Sequence, residues 1–586
     1  MKSLFTLKKY FIKYKKKLIY GFLFILISNI SSVYVPLFIR DGIDQLKENI
    51  TSASLIKYAG LIVGVTLFSG VFRFLIRQTI IVASREIEYD LRNDLWSHLQ
   101  NLSLRFYQNT RTGDLLAHLT NDINAVRNFL GPAVMYSFDT LTLFIFTLAL
   151  MFTIDVNLSL LSLIPFPLLS IIVYSLGKKI HLRFTKIQEH FSVLTAKAQE
   201  NLSGIRIVKA YVREESEINH FRKLSWEYFL KNMNLVKVEA LFRPALFLVI
   251  GASIIIIMWF GGLKVINNEM TLGDITAFIL YMGYLIWPAI AFGWITNITQ
   301  QASASQKRLN ALFATKPEIK DSDITDYRIK KLNGTIEFKN VSFRYRDNLP
   351  YVLREISFTV PAGSTFAIVG HTGCGKTTLV NLILRMFDVC SGKILIDGHN
   401  IKTIPLETLR NEISYVPQES FLFSDTIKNN IIYGLKDLSD KELIEKRLSQ
   451  AVEIAHLTPD LENFPAGLQT VIGERGITLS GGQKQRTTIA RAIVKDSSIL
   501  IFDDCLSAVD TNTEEQILFK LREFMREKTS IIISHRISTV KGADQIIVLE
   551  NGTIAEQGNH KELLELNGIY SRLYYKQLLE KELEQI

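Results

Sequence analysis

Apolar residues in this chain gather before about residue 300, in blocks long enough to cross a bilayer at ~20 residues each. Six blocks stand out, at roughly 18–39, 53–82, 133–154, 158–176, 245–265 and 275–298. The stretches after the first, third and fifth are short: 40–51, 155–157 and 266–274. Those after the second and fourth, 84–129 and 177–241, carry heavy charge, few breakers and apolar residues at helical spacing. They predict helical extensions of the flanking spans, interrupted at 106–116 and at 199–211, where Ser203 and Gly204 supply turn chemistry. Later in the chain the pattern changes to short β-branched runs alternating with helical segments, which predicts a soluble α/β domain. The expected organisation is a six-span transmembrane domain over 1–320, a linker over 321–335 and the α/β domain over 336–586.

Charge refines this picture. The net charge of +10 would suit a nucleic-acid binder, but seven lysines fall in residues 1–17, just ahead of the first apolar block. Basic residues flanking a span are the positive-inside signal. The reading is therefore a membrane protein with a cytoplasmic N-terminus and no nucleic-acid partner. The first block reads as a retained span, because no small-residue cleavage site follows it. An even number of spans returns the chain to the cytoplasm, where the α/β domain is expected. Cys374, Cys390 and Cys505 match neither a disulfide framework nor a metal-ligand spacing, which implies reduced cytosolic thiols.

Polar residues within spans are costly and mark candidate function. Arg73 and Arg77 are four apart and share a helical face. They either face a central cavity that attracts an anionic head group, or lie at headgroup level or pair with a carboxylate such as Asp139. Asp274 starts the sixth span. Pro288, with Gly283 and Gly293, would permit a kink there. Tyr281, Tyr284, Trp287, Phe292 and Trp294 offer aromatic surface, which suits an amphipathic cargo and equally a lipid-facing belt.

The chemistry concentrates in the second half. Gly370-His371-Thr372-Gly373-Cys374-Gly375-Lys376-Thr377 fits G-x-x-x-x-G-K-[ST], between a β-branched strand (365–369) and a helical segment beginning at Thr378. Glycines let backbone N–H groups wrap phosphate oxygens at a helix N-terminus. Lys376 would reach the β- and γ-phosphates of ATP, and the Thr377 hydroxyl would ligate Mg²⁺. Upstream, Tyr345 ends a strand-like segment and could stack on adenine. Gln418, after a strand, could offer its amide oxygen to Mg²⁺ or to water. Leu479-Ser480-Gly481-Gly482-Gln483 opens a helix, with Ser480 as N-cap, and presents free N–H groups to an anion. The strand 499–503 ends in Asp503, a second Mg²⁺ anchor. Ser507-Ala508-Val509-Asp510 follows, and the strand 531–535 ends in His535, able to contact a γ-phosphate.

This ordered set resembles the nucleotide-binding domain of the ABC superfamily, and the whole chain resembles a half-size ABC exporter. The resemblance implies two such domains closing head to tail, each ATP lying between one glycine loop and the opposing Ser480-Gly481-Gly482-Gln483. It also implies that the interruptions at 106–116 and 199–211 are coupling helices, and that Gly473-Glu474-Arg475-Gly476 senses the opposing ones. In that family the residue after the Mg²⁺ aspartate is normally a glutamate that polarises the attacking water; here it is Asp504. The shorter side chain predicts a slow site. It resembles the degenerate-site subunit of heterodimeric bacterial multidrug exporters, with a homodimer using Asp504 twice as the rival. The implied activity is ATP-driven export of amphipathic, drug-like molecules across the plasma (inner) membrane. A lipid flippase of the same fold and an ATP-gated channel or regulatory subunit are the alternatives.

Overall fold

A computed structural model of the chain describes residues 2–48, 52–473, 479–506 and 510–584. It divides into two compact units. One takes in Met1–Asn101 and Thr110–Lys316; the other takes in Leu102–Asn109 and Pro317–Ile586.

Among the described residues, six helices long and apolar enough to cross a membrane build the first unit. Each apolar block is found, but the helices outrun it. The first runs Lys15–Glu48, through much of the segment expected as a loop. The second, Ser52–Ile76, passes through a π-helical turn at Arg77–Ile81 into Val82–Gln100 without a break. The extension persists because Ala83, Ile87, Leu91, Leu95 and Leu99 keep an i, i+4 stripe that is buried while its polar face stays wet. The fourth span is found over Val156–Ser203, with a turn inside it. Val156–Leu163 ends at Ile164 and Pro165, and Phe166–Ser203 starts anew, as prolines favour a helix start and not its interior. Pro288 lies inside one continuous helix, Leu272–Ala314.

Helix starts are chemically explicit. Asp155 caps Val156–Leu163 by accepting from Leu158 N at 2.7 Å. Thr271 and Asp274 form a reciprocal capping box at the head of the last helix, which explains the aspartate at the start of the sixth span. The N-terminal lysines also have a structural use. Lys9 pairs with Asp94 at 2.7 Å, Lys13 with Asp90 at 2.5 Å and Lys17 with Glu86 at 2.6 Å. This ladder binds the N-terminal segment along Val82–Gln100. Arg73 and Arg77 are exposed.

Among its described residues the second unit holds ten strands: β1 Ile336–Phe343, β2 Leu353–Val360, β3 Thr365–Gly370, β4 Ser391–Ile396, β5 His399–Asn400, β6 Ile413–Val416, β7 Ile499–Asp503, β8 Thr529–Ile533, β9 Gln545–Glu550 and β10 Thr553–Gly558. The larger sheet has the order β10-β9-β3-β8-β7-β6, parallel except for β10. The smaller, β2-β1-β4-β5, is antiparallel. Alternate residues of the larger sheet enter different cores. Phe366, Ile368, Ile501 and Ile531 join the core shared with the smaller sheet; Ala367, Val369, Phe502 and Ile532 join the other. Burial on both faces is why these strands read as continuous apolar runs.

The six-residue helix Leu104–Asn109 belongs to this second unit. The break predicted at 106–116 therefore begins earlier, near Ser103, whose hydroxyl accepts from Ile319 N at 2.9 Å. Leu104 packs on the core beneath, and Arg105 pairs with Glu318 at 3.2 Å. The second interruption holds the helix Ile205–Ala210, with Val212 in the left-handed region.

Candidate nucleotide site

Parallel strands deliver their chemistry to one edge, the carboxyl ends, where crevices form in open α/β sheets. β3 leads into the glycine loop, its neighbour β8 into Ser534 and His535, and β7 ends on Asp503 and Asp504. Asp503 is level with Ile533 across the β7–β8 pairing, and Val416 with Phe502 across β6–β7. Gln418 follows two residues beyond β6 and is exposed.

Backbone geometry demands the loop's glycines. Gly370, Gly373 and Gly375 have φ of +156°, +87° and +107°. A Cβ on Gly370 would sit 2.4 Å from Leu549 O, and one on Gly375 would sit 2.8 Å from a Leu353 methyl. Gly375 then opens the helix Lys376–Ile383, whose first turn has N–H groups without intrahelical acceptors. Lys376 is buried, and its ammonium donates to Gly370 O at 2.8 Å and His371 O at 2.9 Å. Cys374 Sγ lies 3.9 Å from the same nitrogen. His371, Thr372, Gly373 and Thr377 are exposed around this buried cation. A concave loop of N–H donors with a lysine at its centre suits a polyphosphate.

Asp503 is 1 % exposed, and its Oδ2 has no hydrogen-bond partner among the described residues. Burial pushes its carboxyl upward; Thr377, Lys376 and Tyr415 oppose that, and the Asp504 charge adds to it. An orphaned buried carboxylate oxygen next to a threonine hydroxyl has the donor chemistry of a Mg²⁺ site completed by substrate phosphates. Among the described residues no cluster of three or more His, Cys, Asp or Glu could hold a metal without that help.

Asp504 adopts the left-handed region, φ +46°, which a short carboxylate tolerates better than most side chains. Its N–H donates to Ile533 O at 2.9 Å, and its Oδ2 lies 3.9 Å from His535 Nε2. Burial, followed by Lys376, holds the His535 imidazole below its usual value, against the opposing pull of Asp504.

Tyr345 sits two residues past β1, half-buried, with its hydroxyl 2.9 Å from Thr378 Oγ1. Its ring meets Phe387 edge-on at 5.3 Å, and the Arg105 guanidinium lies 5.9 Å from that Phe387 ring. A run of contacts thus joins the helix Leu104–Asn109 to the head of the phosphate-loop helix.

Ser480 caps Gly481–Ile493 in a reciprocal box with Gln483, and Ser480 and Gly481 are exposed. Their hydrogen bonds run within that box and, through Gln483 Nε2, to Asp460 Oδ1 at 3.0 Å; Arg486 grips the same carboxylate. The structure therefore gathers Tyr345, 370–378, Asp503, Asp504 and His535 around one loop and places 480–483 on a separate helix start. Asp460 gave no sequence signal, because its partners lie far along the chain. Asp510 caps Thr511–Met525 through Thr513 N at 3.0 Å. Ser507–Val509 and Glu474–Gly476 of the predicted motifs lie outside the described residues.

A six-span helical unit and a parallel-sheet unit carrying this loop define an ATP-driven membrane transporter. The chain belongs to the ABC transporter family: residues 18–289 match the family described as ABC transporter transmembrane region, and residues 353–507 match the family described as ABC transporter. It is 38% identical over 578 residues to the "Probable multidrug resistance ABC transporter ATP-binding/permease protein YheI" of Bacillus subtilis (strain 168), covering 98% of this chain and 96% of that one. It is 37% identical over 497 residues to the "ATP-dependent lipid A-core flippase" of Syntrophus aciditrophicus (strain SB), covering 85% and 81%. The structure of a bacterial Atm1-family ABC exporter with ATP bound superposes with a TM-score of 0.77 at 26% identity, covering 96% of this chain and 98% of that one. The chain is thus a multi-pass membrane protein and an ATPase coupled to export. As a half-transporter it works as a dimer.

Proposed function

We propose that this chain exports amphipathic, drug-like molecules from the cytoplasm or inner leaflet by alternating access, with a slow ATP site built on Asp504. The observation that carries this reading is the position of Asp504 directly after the buried Asp503, whose Oδ2 is unpartnered, and beside His535. Lys376 and the loop N–H groups bind the outer phosphates, and Tyr345 supports the adenine. Thr377, Asp503 and Gln418 are the residues that would hold Mg²⁺, which would supply neutralisation of phosphate charge when bound. Asp504 orients the attacking water and accepts its proton, and His535 contacts the γ-phosphate. One methylene less than glutamate draws the carboxylate back by on the order of 1 Å, worth roughly 10²-fold in rate, or about 2.7 kcal/mol of barrier. ATP binding, which uses Lys376, Thr377 and Asp503, remains strong.

An intact Ser480-Gly481-Gly482-Gln483 beside a weakened Asp504 favours a heterodimer, in which a second half-transporter supplies the faster site. Native mass spectrometry of endogenous complexes showing only self-pairs would overturn that pairing. The N-terminal lysines and their ladder to Val82–Gln100 support a cytoplasmic N-terminus and ATPase unit in a bacterial inner membrane. The flippase relative supports lipid as the second cargo class. Sealed vesicles test the transport reading: ATP must drive uphill accumulation of an amphipathic dye, whereas purely downhill flux would indicate a channel. Accumulation of a labelled lipid but no dye would select the flippase.

A further inference from the structure

His535 reaches its position through the main chain, and that main chain is gripped from the far end of the protein. After β8, Ser534, His535 and Arg536 form a non-helical turn before the four-residue helix Ile537–Val540. This helix has no side-chain N-cap of its own. Gln577, on the terminal helix Ile569–Glu584, fills that role. Its Nε2 donates to His535 O at 2.6 Å, and its Oε1 accepts from Ile537 N at 2.8 Å.

A primary amide is the side-chain group that presents a donor and an acceptor side by side, so it can pair with one residue's C=O and the N–H two residues on. Ile537 is 2 % exposed, so its N–H has no ready substitute in water. The other flank of the turn is held separately. Arg536 N donates to Ser534 Oγ at 3.0 Å, the Arg536 guanidinium donates to the buried Glu514, and Thr539 Oγ1 donates to Glu514 Oε1 at 2.9 Å. Gln577 alone among these groups bonds the His535 main chain. The terminal helix that carries it is itself anchored, with Tyr570 N donating to Glu556 Oε2 at 3.0 Å and His560 Nδ1 2.7 Å from the Tyr570 hydroxyl.

We infer that Gln577 is a positioning residue for ATP hydrolysis, acting through the main chain of His535, and that the terminal helix is thereby part of the ATPase site. The inference rests on the role given to His535 above. Positioning residues of this kind hold a catalytic group within a few tenths of an ångström of its working geometry, and losing that grip lowers turnover more than binding.

The test uses the full-length chain in lipid nanodiscs, with Asp504 and again with Asp504→Glu. Gln577→Ala is expected to lower kcat about 10-fold with KM for Mg-ATP within about two-fold. Gln577→Glu, which keeps the acceptor for Ile537 but faces His535 O with a carboxylate, should recover only part. His560→Ala, which loosens the same helix without touching His535, should lower the melting temperature and leave kcat intact. On a His535→Ala background, Gln577→Ala should have no further effect. Hydrogen exchange over 534–540 needs no turnover: Gln577→Ala should speed it, and His560→Ala should not. Unchanged kcat and unchanged exchange in Gln577→Ala, with His535→Ala impaired, would overturn the inference alone. A His535→Ala protein hydrolysing at the parent rate would overturn the reading of the site, and the inference with it.

Discussion

Asp504 Oδ2 and His535 Nε2 stand 3.9 Å apart at the ends of two adjacent parallel strands. The two residues are unlike in what holds them. Asp504 is tied by its own N–H to Ile533, in a left-handed conformation, whereas His535 is gripped at its carbonyl by Gln577.

That proximity sets a titration. Burial and Lys376 lower the His535 value and Asp504 raises it, so the imidazole takes up its proton at more acid pH than a free one. Removing the carboxylate charge with Asp504→Asn removes the one opposing pull and should move the titration further toward acid. NMR of histidine-labelled protein checks this; a shift toward alkali in Asp504→Asn would contradict the placement.

Cys374 lies inside the phosphate loop, 8 % exposed and 3.9 Å from the Lys376 ammonium. An alkyl group on its sulfur would occupy the hollow proposed above to hold phosphate oxygens. Maleimide labelling should therefore cut nucleotide affinity by at least about 10-fold, and Mg-ATP should protect, since one misplaced close contact has that scale of effect. Unaltered affinity after stoichiometric labelling of Cys374 would exclude it.

The loop was legible in the sequence because its demands are local. Gly370 and Gly375 need their positive φ whatever the rest of the chain does, and the flanking strand and helix announce themselves by pattern. The extension of the second helix was legible as well, in the helical spacing of Ile87, Leu91 and Leu95, although that stripe is too polar overall for a hydropathy window. The onset of the first interruption was misplaced toward Phe106, since the Ser103–Ile319 bond that diverts the chain joins segments far apart in sequence. Asp460 and Gln577 were invisible for the same reason. Each is an ordinary polar residue on a helix whose use appears only when another element is laid beside it.

Lys495 shows how such buried groups respond to pH. Its ammonium donates to Ile413 O at 2.7 Å and to Arg410 O, and burial lowers its value to about 8 from 10.5, with Glu412 opposing. Between these two values the unfolded chain holds the proton that the folded one has released. Stability from this group therefore rises with pH across that window. Lys495→Met should orphan two carbonyls and destabilise the ATPase unit by about 1–3 kcal/mol. The deficit should widen from pH 8 to 10; melting curves of both proteins across that range decide it, and a constant or shrinking gap would refute the assignment.

The account turns on Asp504, and the most direct measurement is Mg-ATP hydrolysis by the purified chain in nanodiscs, beside Asp504→Glu and Asp504→Asn. It predicts low wild-type turnover despite firm nucleotide binding, a gain approaching 10²-fold in Asp504→Glu, and no turnover in Asp504→Asn. Wild-type turnover equal to or above that of Asp504→Glu would contradict a slow site built on the shorter side chain.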